Sequence, residues 1–348
     1  MKFLRLAFYV LIAQLVLSGC AGEAVEETSS SSASEINFDA YVGRNASTRS
    51  SETNIDFLKG NAFNAGFGVF ARYNYNGKIL SLLDTEHVTW NKDQNHWKYT
   101  NTRFWPSEGS VDFYAFAPYS DQPKMENFEI VFPANMSPVD LVYAKAEGKT
   151  KADNPVKFTF KHALARLSFE ITANQKLEEN GAVIRVKEVK LYGDKETSGI
   201  FLMQGNLNLK TGGWWPYDNG TRWFYTWTPD GKVEGRDDTL EEQQKKGPIY
   251  KLSAPPQLDH EHDKVTNHDD SYIFIIPQRK PDYFNLKITY TVEQGKFKED
   301  VTVYKDLLKV LPGDSDPYFE GGKAYVFHLI LSLDPVDFSV TAKVNDWK

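Results

Sequence analysis

The sequence predicts an all-β protein made of two β-sandwich domains in tandem, with little helix. Three observations carry that expectation. Apolar and polar residues alternate with period 2 through many short segments. Pro and Gly interrupt those segments at short intervals. No stretch sustains a 3.6-residue apolar period. Composition agrees, because an aromatic share of 14 %, carried mostly by Tyr and Phe, favours strands. A length of 348 residues suits two domains better than one.

Lys2 and Arg5 precede an apolar run over residues 6–17, and Leu17-Ser18-Gly19 supply small residues before Cys20. A basic start, a short apolar core and a small-residue cut site are the parts of a secretory signal, residues 1–19. The run is too short to cross a bilayer as a mature helix, which needs about 20 residues. Cysteine directly after the cut looks like a bacterial lipoprotein signal, in which the thiol of Cys20 is acylated (as palmitate and related chains) and becomes the new N-terminus. An ordinary signal followed by a chance cysteine is the plainer alternative. Two or three acyl chains would hold the protein at the outer membrane or cell surface without a membrane-spanning helix. Cys20 is the only cysteine, so no internal disulfide forms and packing alone supplies stability in an oxidising location. The formal net charge of −7 and the lack of a basic stripe argue against nucleic acid as a partner. Residues 20–35, rich in Ser and Glu, read as a flexible tether.

Order begins at residue 36. Ile36, Phe38, Ala40 and Val42 alternate with Asn37, Asp39 and Tyr41, the pattern of a half-buried strand over 36–42. A polar run over 43–54 follows and carries Arg44 and Arg49. Strands are then predicted at 67–75, 79–83, 96–99, 111–117, 128–132, 140–144 and 156–160, completing a first sandwich over 36–160. A second sandwich, 161–348, holds strands at 165–171, 183–192, 199–209, 223–227, 272–277, 284–292, 298–303, 323–333 and 338–344. Between them, 229–270 reads as a polar surface excursion with a strand only at 250–253. Residues 306–310 read as one short helical turn.

Several motifs bear on chemistry. Gly66-Phe67-Gly68-Val69-Phe70-Ala71 matches G-x-G-x-x-A by letter. A phosphate-binding loop of that type needs a helix after it, whereas Phe70 to Tyr75 reads as strand, so a glycine-led strand is expected. His260, His262 and His268 among Asp and Glu offer ligand types for Zn²⁺ or Ca²⁺, but the spacing fits no known loop and a solvated polar segment is expected, with no metal or cofactor. His162 reads as a packed or edge histidine. No nucleophile–base pair stands out, and no enzyme is expected. Trp214, Trp215, Trp223 and Trp227 crowd one region and form a candidate platform for glycan or a host ligand. The plainer reading places alternating aromatics between sheets.

Several phrases, in order, resemble the fimbrillin family of Bacteroidetes. They are Gly68-Val69-Phe70-Ala71, the pair Trp90 and Trp97, Phe104-Trp105-Pro106 leading to residues 111–119, Asp140-Leu141-Val142-Tyr143-Ala144, residues 160–169, and the ending Val344-Asn345-Asp346-Trp347. The resemblance implies two transthyretin-like sandwiches, export as an outer-membrane lipoprotein, and proteolysis after an arginine in the early loop. That cut removes the lipid and the first strand, and a strand from another subunit fills the vacated groove. Carried onto this chain, it implies Ile36, Phe38, Ala40 and Val42 as the displaced strand, with cleavage after Arg49 or, second, Arg44. As a plainer alternative, both arginines are solvated loop charges. Polymerising subunits of the family generally carry C-terminal strand material for donation, whereas this chain stops at Lys348, so shaft, tip and anchor roles all stay open.

Overall fold

The computed structural model describes residues 33–43, 53–121, 123, 125–126, 129–131, 140–174, 182–196, 198–202, 204–216, 222–223, 225–227, 257–258, 273–311, 318–335 and 338–347. Strands dominate them. The first half supplies β1 (Phe38–Val42), β2 (Phe67–Tyr75), β3 (Lys78–Asn91), β4 (His96–Lys98), β5 (Ser110–Ala117), β6 (Met125–Glu126), β7 (Glu129–Val131), β8 (Val142–Lys149) and β9 (Val156–His162). The second supplies β10 (Ala165–Ala173), β11 (Val183–Tyr192), β12 (Phe201–Leu202), β13 (Gly205–Asn208), β14 (Trp214–Pro216), β15 (Arg222–Trp223), β16 (Tyr225–Trp227), β17 (Gln257–Leu258), β18 (Ile273–Ile275), β19 (Gln278–Arg279), β20 (Asn285–Gln294), β21 (Phe297–Asp306), β22 (Tyr318–Phe319), β23 (Lys323–Leu331) and β24 (Ser339–Asp346).

The first half is organised by a seven-stranded sheet in the order β1-β9-β8-β5-β2-β3-β4. The second half has a four-stranded sheet, β18-β10-β23-β24, and a second sheet, β16-β11-β20-β21, with β17 also on β11. A further four-stranded sheet, β14-β13-β7-β6, draws strands from both halves, with Asn206 opposite Val131 and Asn208 opposite Glu129.

Alternation places the cores. Along β9, Val156, Phe158 and Phe160 point inward while Lys157, Thr159 and Lys161 face solvent. They join Phe38, Phe67, Phe113 and Trp97 in a first apolar cluster. Leu167, Phe169, Ile288, Tyr290, Phe327 and Leu329 belong to a second. A third cluster takes Phe70, Tyr114 and Phe116 from the first half and Leu207, Phe274, Ala324 and Trp347 from the second. The two halves therefore share apolar packing as well as a sheet, and Glu35–Lys348 forms one unit.

The structure corrects several boundaries. The strand expected at 79–83 runs on to Asn91. Its polar middle hid it: Asp84 pairs with Arg72 at 2.7 Å, Glu86 accepts from the amides of Thr100 and Asn101, and the ladder to β2 shifts register near Ala71. The segment 199–209 is two short strands, β12 and β13, and β15 and β16 divide 223–227. The polar stretch 229–270 contributes β17 to the β11 sheet, which its composition did not suggest. The strand at 36–42 begins at Phe38, although Ile36 is already fully buried. A short helix, α1 (Ile55–Leu58), closes the polar run, capped by Asn54 Oδ1, which accepts from the Phe57 amide at 2.8 Å. The helical turn expected at 306–310 is present at Leu307–Lys309.

Candidate functional site: the seat of the first strand

β1 lies at the end of the seven-stranded sheet and pairs in parallel with β9, Phe38 opposite Val156 and Val42 opposite Phe160. Among the described residues, 38–42 has a ladder on that side only. Just upstream, the chain is clasped from the other side: the Ile36 amide donates to Arg103 O at 2.8 Å, and Glu35 forms an antiparallel bridge with Phe104. The Tyr99 hydroxyl donates to Ile36 O at 2.9 Å, and burial pushes that phenol's pKa up.

An edge strand usually carries a thin share of the core, but β1 carries a large one. Ile36 is 0 % exposed, and Phe38 and Val42 are each 5 %. The Phe38 ring stacks on Phe158 at 5.7 Å, meets Phe113 edge-on at 5.8 Å and lies 5.3 Å from Tyr99. Removing the strand would expose the β9 edge and open an aromatic-lined slot, both costly in water. Backbone pairing plus alternate side-chain pockets is the arrangement that accepts an incoming strand.

The chain after β1 is tied down independently of it. Asp140 is fully buried, and its Oδ2 accepts the Thr53 amide at 2.8 Å. The Thr53 hydroxyl donates to the Asp140 carbonyl, and His162 Nδ1–H donates to Asp140 Oδ1 at 2.9 Å. The His162 ring stacks on Trp347 at 3.8 Å, and Trp347 stacks in turn on Phe274 at 5.4 Å. This latch joins the end of the arginine-bearing run, the end of β9 and Trp347. His162 is thus a packed histidine, as the sequence suggested. Nothing in the sequence pointed to Thr53 or Asp140 as its partners. A cleft of about 800 Å³ opens where β1 ends, lined by Tyr41, Gly43, Lys161, His162, Lys323 and Trp347 among others.

The other sequence candidates sort as follows. Trp214 is committed internally: its Nε1–H donates to Ala163 O at 2.7 Å and its ring packs on the shared cluster. Trp215, next in β14, is half exposed. Trp223 and Trp227 lie on β15 and β16, so the four fall on three sheets; the side chains of the last two lie outside the described residues. Cys20, Arg44, Arg49 and the histidines 260, 262 and 268 also lie outside them. The glycine-rich phrase is strand β2, and its glycines answer packing: a Cβ on Gly68 would sit 2.4 Å from the Phe116 ring, and Gly66, at φ +86°, faces Val88 O. Among the described residues, no group of three or more His, Cys, Asp or Glu could hold a metal, and no helix is long and apolar enough to cross a membrane.

Comparison with known proteins adds to this geometry. The family model described as fimbrillin-like matches residues 48–347. A crystal structure of a fimbrial protein from Bacteroides vulgatus superposes with a TM-score of 0.59 at 19 % identity, covering 90 % of this chain and 99 % of that one. A protein assigned to cell adhesion from Bacteroides uniformis gives a TM-score of 0.50 at 17 % identity, covering 90 % and 98 %. At such identities the likeness speaks for the fold. No curated protein matches the chain.

Proposed function

Because the chain belongs to the fimbrillin-like family, we propose that it is a structural, non-enzymatic subunit of a cell-surface fimbria, exported as a lipoprotein through Cys20 and joined to other subunits by strand exchange. Cleavage after Arg49, or after Arg44, releases Ile36, Phe38, Ala40 and Val42 with the lipid, and a neighbour's strand takes the seat. The observation that carries this reading is the placement of β1: it lies at a sheet end with one ladder, yet its side chains fill the first core. The buried latch at Thr53 supports it too, since a chain cut after Arg49 would remain fastened three residues beyond its new N-terminus, Ser50.

The test is to treat the folded chain with an arginine-specific protease. Loss of everything before Ser50, together with multimers that survive mild detergent, is expected, and Arg49→Ala should block both. Cleavage elsewhere with no multimers overturns the reading. A second reading, glycan or host-ligand capture without polymerisation, draws on the exposed Trp215. It requires retardation by a polysaccharide in affinity electrophoresis that Trp215→Ala abolishes.

A further inference from the structure

We propose that the β2–β3 hairpin tip is a membrane-contacting surface that rests on the lipid bilayer while the precursor is anchored; this rests on the lipoprotein reading of Cys20. The tip is a tight turn flanked on its β2 side by the start of β5. Tyr75 and Lys78 close the ladder around Asn76 and Gly77, whose φ values of +48° and +74° suit the two-residue turn that matches strand twist. Just after it stand two adjacent aliphatic side chains that join none of the three apolar clusters: Ile79 is 60 % exposed and Leu80 56 %. Leu80 sits opposite Tyr73 and Ile79 opposite Asn74, so both faces of the ribbon present apolar surface. Tyr73 and Tyr75 stack at 6.1 Å, and each hydroxyl is held by Glu108, Tyr73 through the carbonyl and Tyr75 through the carboxylate. Tyrosine, aliphatics and one lysine around an exposed turn make up the composition of an interfacial anchor.

Arg103 ties this hairpin to the point where the chain enters the sheet. The Ile36 amide donates to Arg103 O at 2.8 Å, and Arg103 Nε–H donates to Leu82 O at 3.1 Å, two residues along β3 from Leu80. The point where the chain enters the first half and the β3 side of the tip are therefore bridged by the single residue Arg103. Only residues 21–34 separate Cys20 from Glu35. A Ser- and Glu-rich tether of that length, as its composition predicts, spans roughly 20 Å on average and about 50 Å at full stretch. Anchoring at Cys20 thus keeps the entry point within tens of ångströms of the bilayer (about 20–50 Å), close enough for the apolar tip to reach it. Removal of residues before Ser50 would free the tip along with the lipid.

The lipidated precursor, reconstituted in phosphatidylethanolamine–phosphatidylglycerol vesicles, tests this. With Cys20 acylated, Lys78→Cys introduces the only free thiol for an environment-sensitive fluorophore, and Lys343→Cys on exposed β24 gives a reference. Emission at position 78 should shift to shorter wavelength and be quenched by nitroxide-bearing lipids, while position 343 does neither. Ile79→Asp with Leu80→Asp should abolish the quenching while the protein stays vesicle-bound and folded. Equal behaviour of the two labels overturns the proposal, as does a response at 78 produced by processed copies of the chain without vesicles, which would make the tip a subunit contact. Mass analysis of Cys20 judges the anchoring reading separately. If the residue carries no lipid, the same labels in a Cys20→Ser chain tethered by an N-terminal His-tag to nickel lipids still support or overturn the contact.

Discussion

Two strands end their sheets, and they are built on opposite plans. β1 is five residues long, and Phe38 and Val42 are buried in the core with Ile36 just ahead of them. β24 is eight residues long, pairs with β23 from Ser339 to Asp346, and has no fully buried side chain; Val340, Ala342 and Val344 only rest on the second core, and the buried rings Phe338 and Trp347 flank the strand instead of lying on it. The shorter strand is therefore the more consequential. Side-chain insertion, more than the number of ladder residues, decides what a sheet loses when an end strand leaves. A seat with deep pockets demands a matching replacement, whereas β24 itself adds only half-buried side chains to the second core.

Mutations should break this asymmetry in graded steps. Phe38→Ala removes a ring from an aromatic cluster and should cost about 3–5 kcal/mol in chemical denaturation, whereas Val344→Ala should cost about 1 kcal/mol. A cost at Val344 equal to that at Phe38 would erase the distinction. Asp140→Asn replaces the acceptor shared by Thr53 and His162 and should cost about 1–3 kcal/mol. It should also speed proteolysis beyond Thr53 in chains already cut after Arg49, a change that general destabilisation at Val344 would not reproduce. In the shared sheet, Trp214→Phe leaves the Ala163 carbonyl without its donor and should cost about 1–2 kcal/mol, while Trp215→Ala should stay within about 0.5 kcal/mol.

A further small effect is electrostatic. Burial pushes the Glu147 carboxyl up, but hydrogen bonds from Lys145 and Tyr114, with Lys210 nearby, more than offset it and hold its pKa below the usual carboxylate value. A depressed folded value means the contribution is present above the unfolded pKa of about 4.5 and fades as pH falls through the folded one. Glu147→Gln should lower stability by less than about 1 kcal/mol at pH 7, since both Glu147 and its lysines are partly exposed. The difference from the parent chain should vanish in acid, and a difference that grows toward pH 3 would contradict this assignment.

Where alternation was clean, the sequence was readable. Phe67–Tyr75 and Val183–Tyr192 occupy the bounds that the pattern predicts, and the β1 segment was legible from Ile36, Phe38, Ala40 and Val42 alone. Legibility failed where tertiary partners replaced burial as the reason for extended chain. β3 passes through Asp84, Glu86 and His87 because Arg72, the 100–101 amides and the Ala65 carbonyl receive them. The Asn76-Gly77 pair was an available hairpin signal in the letters themselves. The Thr53–Asp140–His162 latch was not, since Asp140 lies 87 residues from Thr53 and nothing local marks it as buried. Pairing of β7 with β13 was likewise invisible, being a contact between halves that read as separate.

Hydrogen exchange on β9, before and after cleavage at Arg49, tests the central claim most directly. The account predicts that amides of Val156–His162 facing the vacated seat lose protection when residues before Ser50 are removed, and regain it when a peptide of sequence 35–43 or a second subunit is added. β24 should keep its protection throughout. Unchanged β9 protection after the leading strand has gone would contradict it.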